Sequence, residues 1–158
     1  MLDMHLTITA HVVNLIRAAN FELHQINSIQ HYLSVQVTKT LVSAFVLSWL
    51  DYCNSLLSGC PQYLLNRLQK VQNNAACLIL KAPKTDHITP HLRTLHWLPI
   101  NARIKYKLCS LCFGAITSTG PVYLSDLLMI YTPSRQLQSP ADIHILCIPS
   151  VNTKSYVM

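Results

Sequence analysis

Apolar residues return every three or four positions in the first part of the chain, at Ile8, Val12, Leu15, Ala19, Leu23 and Ile26. At 3.6 residues per turn that spacing lines up one helical side, and it predicts a first helix over 8–29. Ser34 reads as the N-cap of a second helix over 35–57, which Gly59 and Pro61 would stop. This second segment is apolar on two sides, through Val37, Leu41, Phe45, Ser48 and Tyr52 and again through Leu47, Leu50 and Leu57. A helix of that kind belongs at the centre of a bundle.

Pro61 suits the first turn of a third helix running to residue 80. Leu64, Leu68, Val71, Ala75 and Leu78 form its expected buried stripe. On another side, Arg67, Lys70, Asn74 and Lys81 fall within about 60 degrees of one another, so the helix pairs an apolar seam with a cationic ridge. Pro83 ends it. Thr89-Pro90 reads as the cap and first turn of a short fourth helix reaching Leu95.

A fifth helix over 100–117 would bury Ile104, Leu108, Leu111 and Ala115, with Arg103 and Lys107 on a different face. Gly120-Pro121 breaks the chain before a short helix over 122–129. The prolines at 133, 140 and 149 then give an extended segment in which 143–148 is a weak strand candidate. The pattern predicts an all-α fold: a bundle of five to six helices over residues 1–130, then an irregular, Pro-containing C-terminal tail over 131–158.

Composition supports an ordered domain with an unusually uncharged surface. The 158 residues are 51% hydrophobic and only 11% charged, against a usual charged share of about a quarter. The formal charge of +6 is concentrated. Eight of the twelve basic residues lie from Arg67 to Lys107, where Asp86 is the only acid. Such an excess favours an anionic partner, nucleic acid before membrane, since neutralising phosphates releases counterions; the competing account is a solvated face.

The six cysteines follow no secretory leader, so an intracellular location with reduced thiols is expected, not secretion through an oxidising compartment. The most apolar run, 41–50, falls short of the roughly 20 residues that span a bilayer, and no membrane anchor is expected. Catalytic chemistry is hard to place. Two-metal nucleotidyl transfer needs clustered carboxylates, yet the six acids at 3, 22, 51, 86, 126 and 142 are dispersed over different predicted elements. Cys109 and Cys112 form a C-x-x-C near His87, His91 and His96, but the pair sits inside a predicted helix without a second Cys pair. Buried thiols are the simpler account. Trp97 reads as a core residue first and a base-stacking platform second. No catalytic residue, metal or cofactor is assigned.

One resemblance covers nearly the whole chain. Leu50-Asp51-Tyr52-Cys53-Asn54-Ser55-Leu56-Leu57, Leu68-Gln69-Lys70-Val71-Gln72-Asn73-Asn74-Ala75-Ala76, Asp86-His87-Ile88-Thr89-Pro90 and Leu95-His96-Trp97-Leu98-Pro99 occur in that order. Together they resemble the region after the catalytic palm in reverse transcriptases of non-LTR (LINE-type, Jockey-like) retrotransposons. The resemblance implies a thumb-like helical segment and the start of a C-terminal segment, with endonuclease, fingers and palm upstream of Met1. It implies no enzyme activity here, because the palm carboxylates and their metals belong to the missing part. Thumb helices of such enzymes grip the template–product duplex by its backbone. Arg67, Lys70, Lys81, Arg103 and Lys107 are the positions that fit this role, assigned from stripe geometry and not from a family motif.

Trp49, Cys77 and Gln138 stand where the family commonly has arginine. Each change is a single transition at a CpG-containing arginine codon, which suggests a decaying genomic copy translated from an internal Met. Tyr156-Val157 also departs from the family's Tyr-Gly. The expectation is therefore a non-catalytic remnant that binds RNA or an RNA–DNA hybrid weakly and in a salt-sensitive way. Its rivals are a domesticated interaction module, whose exposed apolar face meets the missing palm or another protein, and a translated pseudogene fragment without function.

Overall fold

The computed structural model describes residues 8–52, 54–83, 85–129, 131 and 146–147. They are helical almost throughout, and the chain divides into two compact units, Met1–Leu108 and Cys109–Met158. Among the described residues no β-strand forms; Leu146 makes one isolated bridge, and the Cys147 N–H donates to the Met129 carbonyl at 2.8 Å. The fold is all-α, as the periodicity predicts. Residues 131–158 lie outside the described residues except for Tyr131, Leu146 and Cys147, and the strand candidate over 143–148 falls mostly there.

Helix α1 spans Ile8–Ile29 and buries Val12, Ile16, Ala19, Leu23 and Ile26. Ile16 takes the place predicted for Leu15, which is only partly buried, and Ile8 is exposed. Ser34 caps helix α2, Val35–Val42, its hydroxyl accepting from the Val37 N–H at 3.3 Å. A π turn over Ser43–Leu47 then leads into α3, Ser48–Asp51. The predicted helix over 35–57 therefore ends at Asp51, since Tyr52 turns extended; a short 3₁₀ turn, Asn54–Leu57, follows.

The rod formed by α2, the π turn and α3 is not central. Its inward residues are Thr38, Val42, Val46, Leu47 and Leu50, whereas Val37, Phe45 and Tyr52 face outward, Tyr52 being 75% exposed. Residues four apart drift about 40 degrees per step on an α-helix. An i→i+5 turn holds more residues and takes up that drift, which keeps 38, 42, 46 and 50 on one side.

The centre belongs to α4, Gln62–Leu80, which packs against α1, α2 and α5 and buries eight of its nineteen residues. Leu64 and Leu68 are almost wholly enclosed, each contributing on the order of 2 kcal/mol by apolar burial. Helix α5, Ile88–Thr94, starts one residue before Thr89, so Pro90 sits at its third position, where no intrahelical donor is lost. Helix α6, Ile100–Ile116, begins in the first unit, where Ile100 and Ile104 are buried and Leu108 packs against the core.

The second unit holds the last turns of α6 and helix α7, Val122–Ser125, shorter than the predicted 122–129. Ala115 is buried as predicted and Leu111 is exposed. Gly120 approaches the helix end so closely that a Cβ there would lie 3.0 Å from the Gly114 carbonyl carbon. The Thr119 and Gly120 amides both donate to the Gly114 carbonyl, at 3.0 and 2.8 Å.

Candidate nucleic-acid interface

Two polar clusters shape the first unit, and the first of them is structural. Gln72 is fully buried in α4; its Nε2 donates to the Leu98 carbonyl at 2.9 Å. Its Oε1 accepts from Gln69 Nε2 at 3.0 Å, and Gln69 Oε1 in turn accepts from the Ile100 N–H at 2.9 Å. The two glutamines thus clamp the Leu98–Ile100 turn to α4 and satisfy the first amide of α6. Trp97, in the same turn, is buried in the core and closed to a stacking base. The phrases Leu68–Ala76 and Leu95–Pro99, far apart in sequence, are therefore two halves of one contact.

The same turn supports Arg103. Its Nε donates to the Leu98 carbonyl at 3.1 Å and its Nη1 reaches both Asp51 carboxylate oxygens at 2.6 Å. The Arg103 side chain is 16% exposed and that of Asp51 48%. Among the described residues, Arg103 is thus the one of the five predicted contact residues engaged by a carboxylate, tying α6 to the end of α3. Beside it, Asn54, His96, Tyr106 and Lys107 help to line a pocket of about 340 Å³.

Arg67 and Lys70 stand exposed on α4, Lys81 is exposed just past its end, off the helical side that the spacing gave it, and Lys107 is exposed on α6. Among the described residues no carboxylate lies within ion-pair distance of these four. Lys81 occupies the left-handed C-cap of α4, at φ 52°. The Ala82 N–H bonds the Cys77 carbonyl at 3.0 Å and the Lys81 N–H bonds that of Leu78 at 3.4 Å, a Schellman end.

The second polar cluster flanks the ridge. A groove of about 610 Å³ runs between the C-terminal half of α1 and the end of α4. Asn20, His24, Asn27 and His31 line it from the α1 side, Asn74 and Lys81 from the other. Gln30 Nε2 closes its end by donating to the Leu78 carbonyl. Among the described residues no carboxylate lines it. Arg17, Asn20, His24 and Asn27 follow helical spacing as Arg67, Lys70 and Asn74 do, so the same periodicity argument finds this second stripe once it is applied to polar residues.

Cys109 and Cys112 lie on α6, and among the described residues no group of three or more His, Cys, Asp or Glu side chains could hold a metal. No disulfide joins the described cysteines. No described helix is long and apolar enough to cross a membrane. Compared with models of protein families, with curated proteins and with solved structures, the chain matches none.

Proposed function

We propose that this chain is a non-catalytic remnant of a non-LTR retrotransposon reverse transcriptase that binds RNA or an RNA–DNA hybrid through the exposed face of α4. The observation that carries this reading is the group of cations Arg67 and Lys70 on α4 and Lys81 at its end, open to solvent with no carboxylate paired to them among the described residues. Lys107 adds a further cation on α6. Phosphate-led binding of this kind is independent of sequence and weakens steeply with salt.

The test is the affinity of the chain for a labelled hybrid duplex at several salt concentrations. Replacing Arg67 and Lys70 together by alanine should flatten the slope of log affinity against log salt by about 2, one unit for each lost phosphate contact. A slope that stays put in the double variant would mean the ridge is ordinary solvated surface. The outward stripe Val37, Phe45 and Tyr52 favours a second reading, a protein-binding module. A partner captured through that stripe after nuclease treatment, by a chain without nucleic-acid affinity, would favour it.

A further inference from the structure

The pocket beside Arg103 lies within the first unit and differs from the ridge on α4, because it sets anion-binding groups next to unused acceptors. At about 340 Å³ it stands at the small end of the range of roughly 300–1,000 Å³ typical of ligand pockets. That is room for one small molecule and not for a polymer. Asn54 forms part of the wall and is only 6% exposed. Its Oδ1 is shut off from solvent, yet no described residue donates to it. Burying an acceptor in this way is unfavourable, and each such group calls for a partner from outside the chain. The Asn54 side chain makes no other hydrogen bond among the described residues, and the χ2 well of asparagine is broad. Its amide is therefore free to turn and offer a ligand its oxygen.

The cationic wall has donors to spare. Arg103 uses Nε on the Leu98 carbonyl and Nη1 on Asp51, which leaves both Nη2 hydrogens without a described acceptor. Lys107 follows one helical turn later on α6 and lines the same pocket. A guanidinium and an ammonium side by side suit a carboxylate. Asp51, half-exposed beside them, repels a dianion such as phosphate and accepts from a donor instead. Leu98 and the Tyr106 ring, both exposed, supply an apolar side. His96 reaches this pocket from a left-handed backbone at φ 57°, a strained conformation of the kind that recurs at ligand sites.

We propose that this pocket binds a small aromatic carboxylic acid bearing a hydroxyl or an ammonium on its α carbon. The carboxylate meets Arg103 Nη2 and Lys107, the α donor meets Asn54 Oδ1 and Asp51, and the ring lies on Leu98 and Tyr106. α-Hydroxy and α-amino acids share this chemistry. The inference does not rest on the nucleic-acid reading, whose main cations lie on α4 and at its end.

The test titrates the full, isotope-labelled chain with phenyllactate, phenylalanine, phenylpropionate and inorganic phosphate, read by NMR at the Asn54 side-chain amide and the Arg103 Nε–H. Phenyllactate or phenylalanine should shift both signals with a dissociation constant on the order of 1 mM, the scale expected of about twelve heavy atoms. Binding of either supports the proposal, and the tighter one identifies the α group. Phenylpropionate lacks that donor and should bind about fivefold more weakly, with phosphate weaker still. Lys107→Ala, at an exposed helical position, should weaken the organic acids about fivefold. Asn54→Leu should bind phenyllactate and phenylpropionate alike, with a thermal melt as the check on folding. Hybrid binding through α4 should be unchanged in Asn54→Leu, so the two readings fail separately. No shift at either signal at about ten times the expected constant overturns the inference. So does phosphate binding as tightly as the organic acids, or a wild-type chain that does not distinguish phenylpropionate from the two acids with an α donor.

Discussion

Replacing Gln72 tests whether α4 and the Leu98–Ile100 turn are held by a specific polar clamp or merely by proximity. Gln72 has no exposed surface, one bond to the Leu98 carbonyl and one from Gln69. Alanine removes both bonds and leaves a cavity, about 1 kcal/mol for the bonding and about 2 for the void, or about 3 kcal/mol in all. Leucine fills similar space. The Leu98 carbonyl would keep its bond from Arg103 at 3.1 Å, and Gln69 Nε2 would keep Asn73 Oδ1 at 2.8 Å. No buried group is then stranded, and the cost should be about 1 kcal/mol.

Glutamate is the discriminating variant. It matches glutamine in shape but, when ionised, offers only acceptors to a carbonyl oxygen and brings a charge into the core. It should cost about 4 kcal/mol at neutral pH, in the range found when a buried charge lacks its partner. Urea unfolding followed by far-UV circular dichroism measures all three, with the denaturant slope as a check on a common unfolded state. The expected order is leucine mildest, alanine next, glutamate worst. A glutamate variant as stable as the leucine one, or an alanine variant indistinguishable from wild type, would refute the clamp.

Two further predictions concern the positions where the backbone is most constrained. Lys81→Gly should stabilise the first unit by about 0.5–1 kcal/mol, because glycine takes the left-handed cap without a Cβ penalty, and should at the same time weaken hybrid binding. Thermal melts and anisotropy measure the two effects separately, and a destabilised variant would contradict the cap geometry. Gly120→Ala should push the chain away from the Gly114 carbonyl at a cost of about 1–2 kcal/mol. Faster hydrogen exchange at the Thr119 and Gly120 amides would report it, and unchanged exchange would count against the close approach.

Helix boundaries show where local chemistry sufficed. Ser34 announces α2 because its hydroxyl can meet a free amide of the first turn, and Pro61 and Pro121 stand immediately before α4 and α7 because a missing N–H costs nothing there. Helix ends followed the pattern to within a residue at 29, 80, 95 and 117, and missed only where the chain turns after Asp51 and after Ser125. The chain closes helices with Lys81, His96 and Ser118 in left-handed conformation, positions usually given to glycine, and none of the three residue types announces a stop. At α5 the Trp97 N–H reaches the Leu92 carbonyl at 2.8 Å and His96 reaches Arg93 at 3.0 Å, so tertiary anchoring of Trp97 holds His96 where it is. The strain, of order 1 kcal/mol or more, is tolerated because the surrounding contacts fix it.

The candidate site divides the same way. Arg67 and Lys70 lie on α4 at the spacing read from the sequence, but Lys81, given the same side by that spacing, falls past the helix end in left-handed conformation. Arg103 could not be distinguished from them, because its partner Asp51 lies far away in sequence. Likewise Gln72 looked like one polar residue among several until the Leu98 carbonyl came to rest against it.

The order of residues alone determined that the chain is helical, where its helices begin and which side of α4 is cationic, since these follow from rotation per residue and from the few atoms nearest each backbone group. Only the tertiary structure decided which of two apolar stripes on the α2–α3 rod turns inward, that α4 and not this rod is central, and that α1 and α4 enclose a groove that no described carboxylate lines. Those outcomes depend on which surfaces meet, and a helix with two apolar sides carries no local record of which one its neighbours will cover.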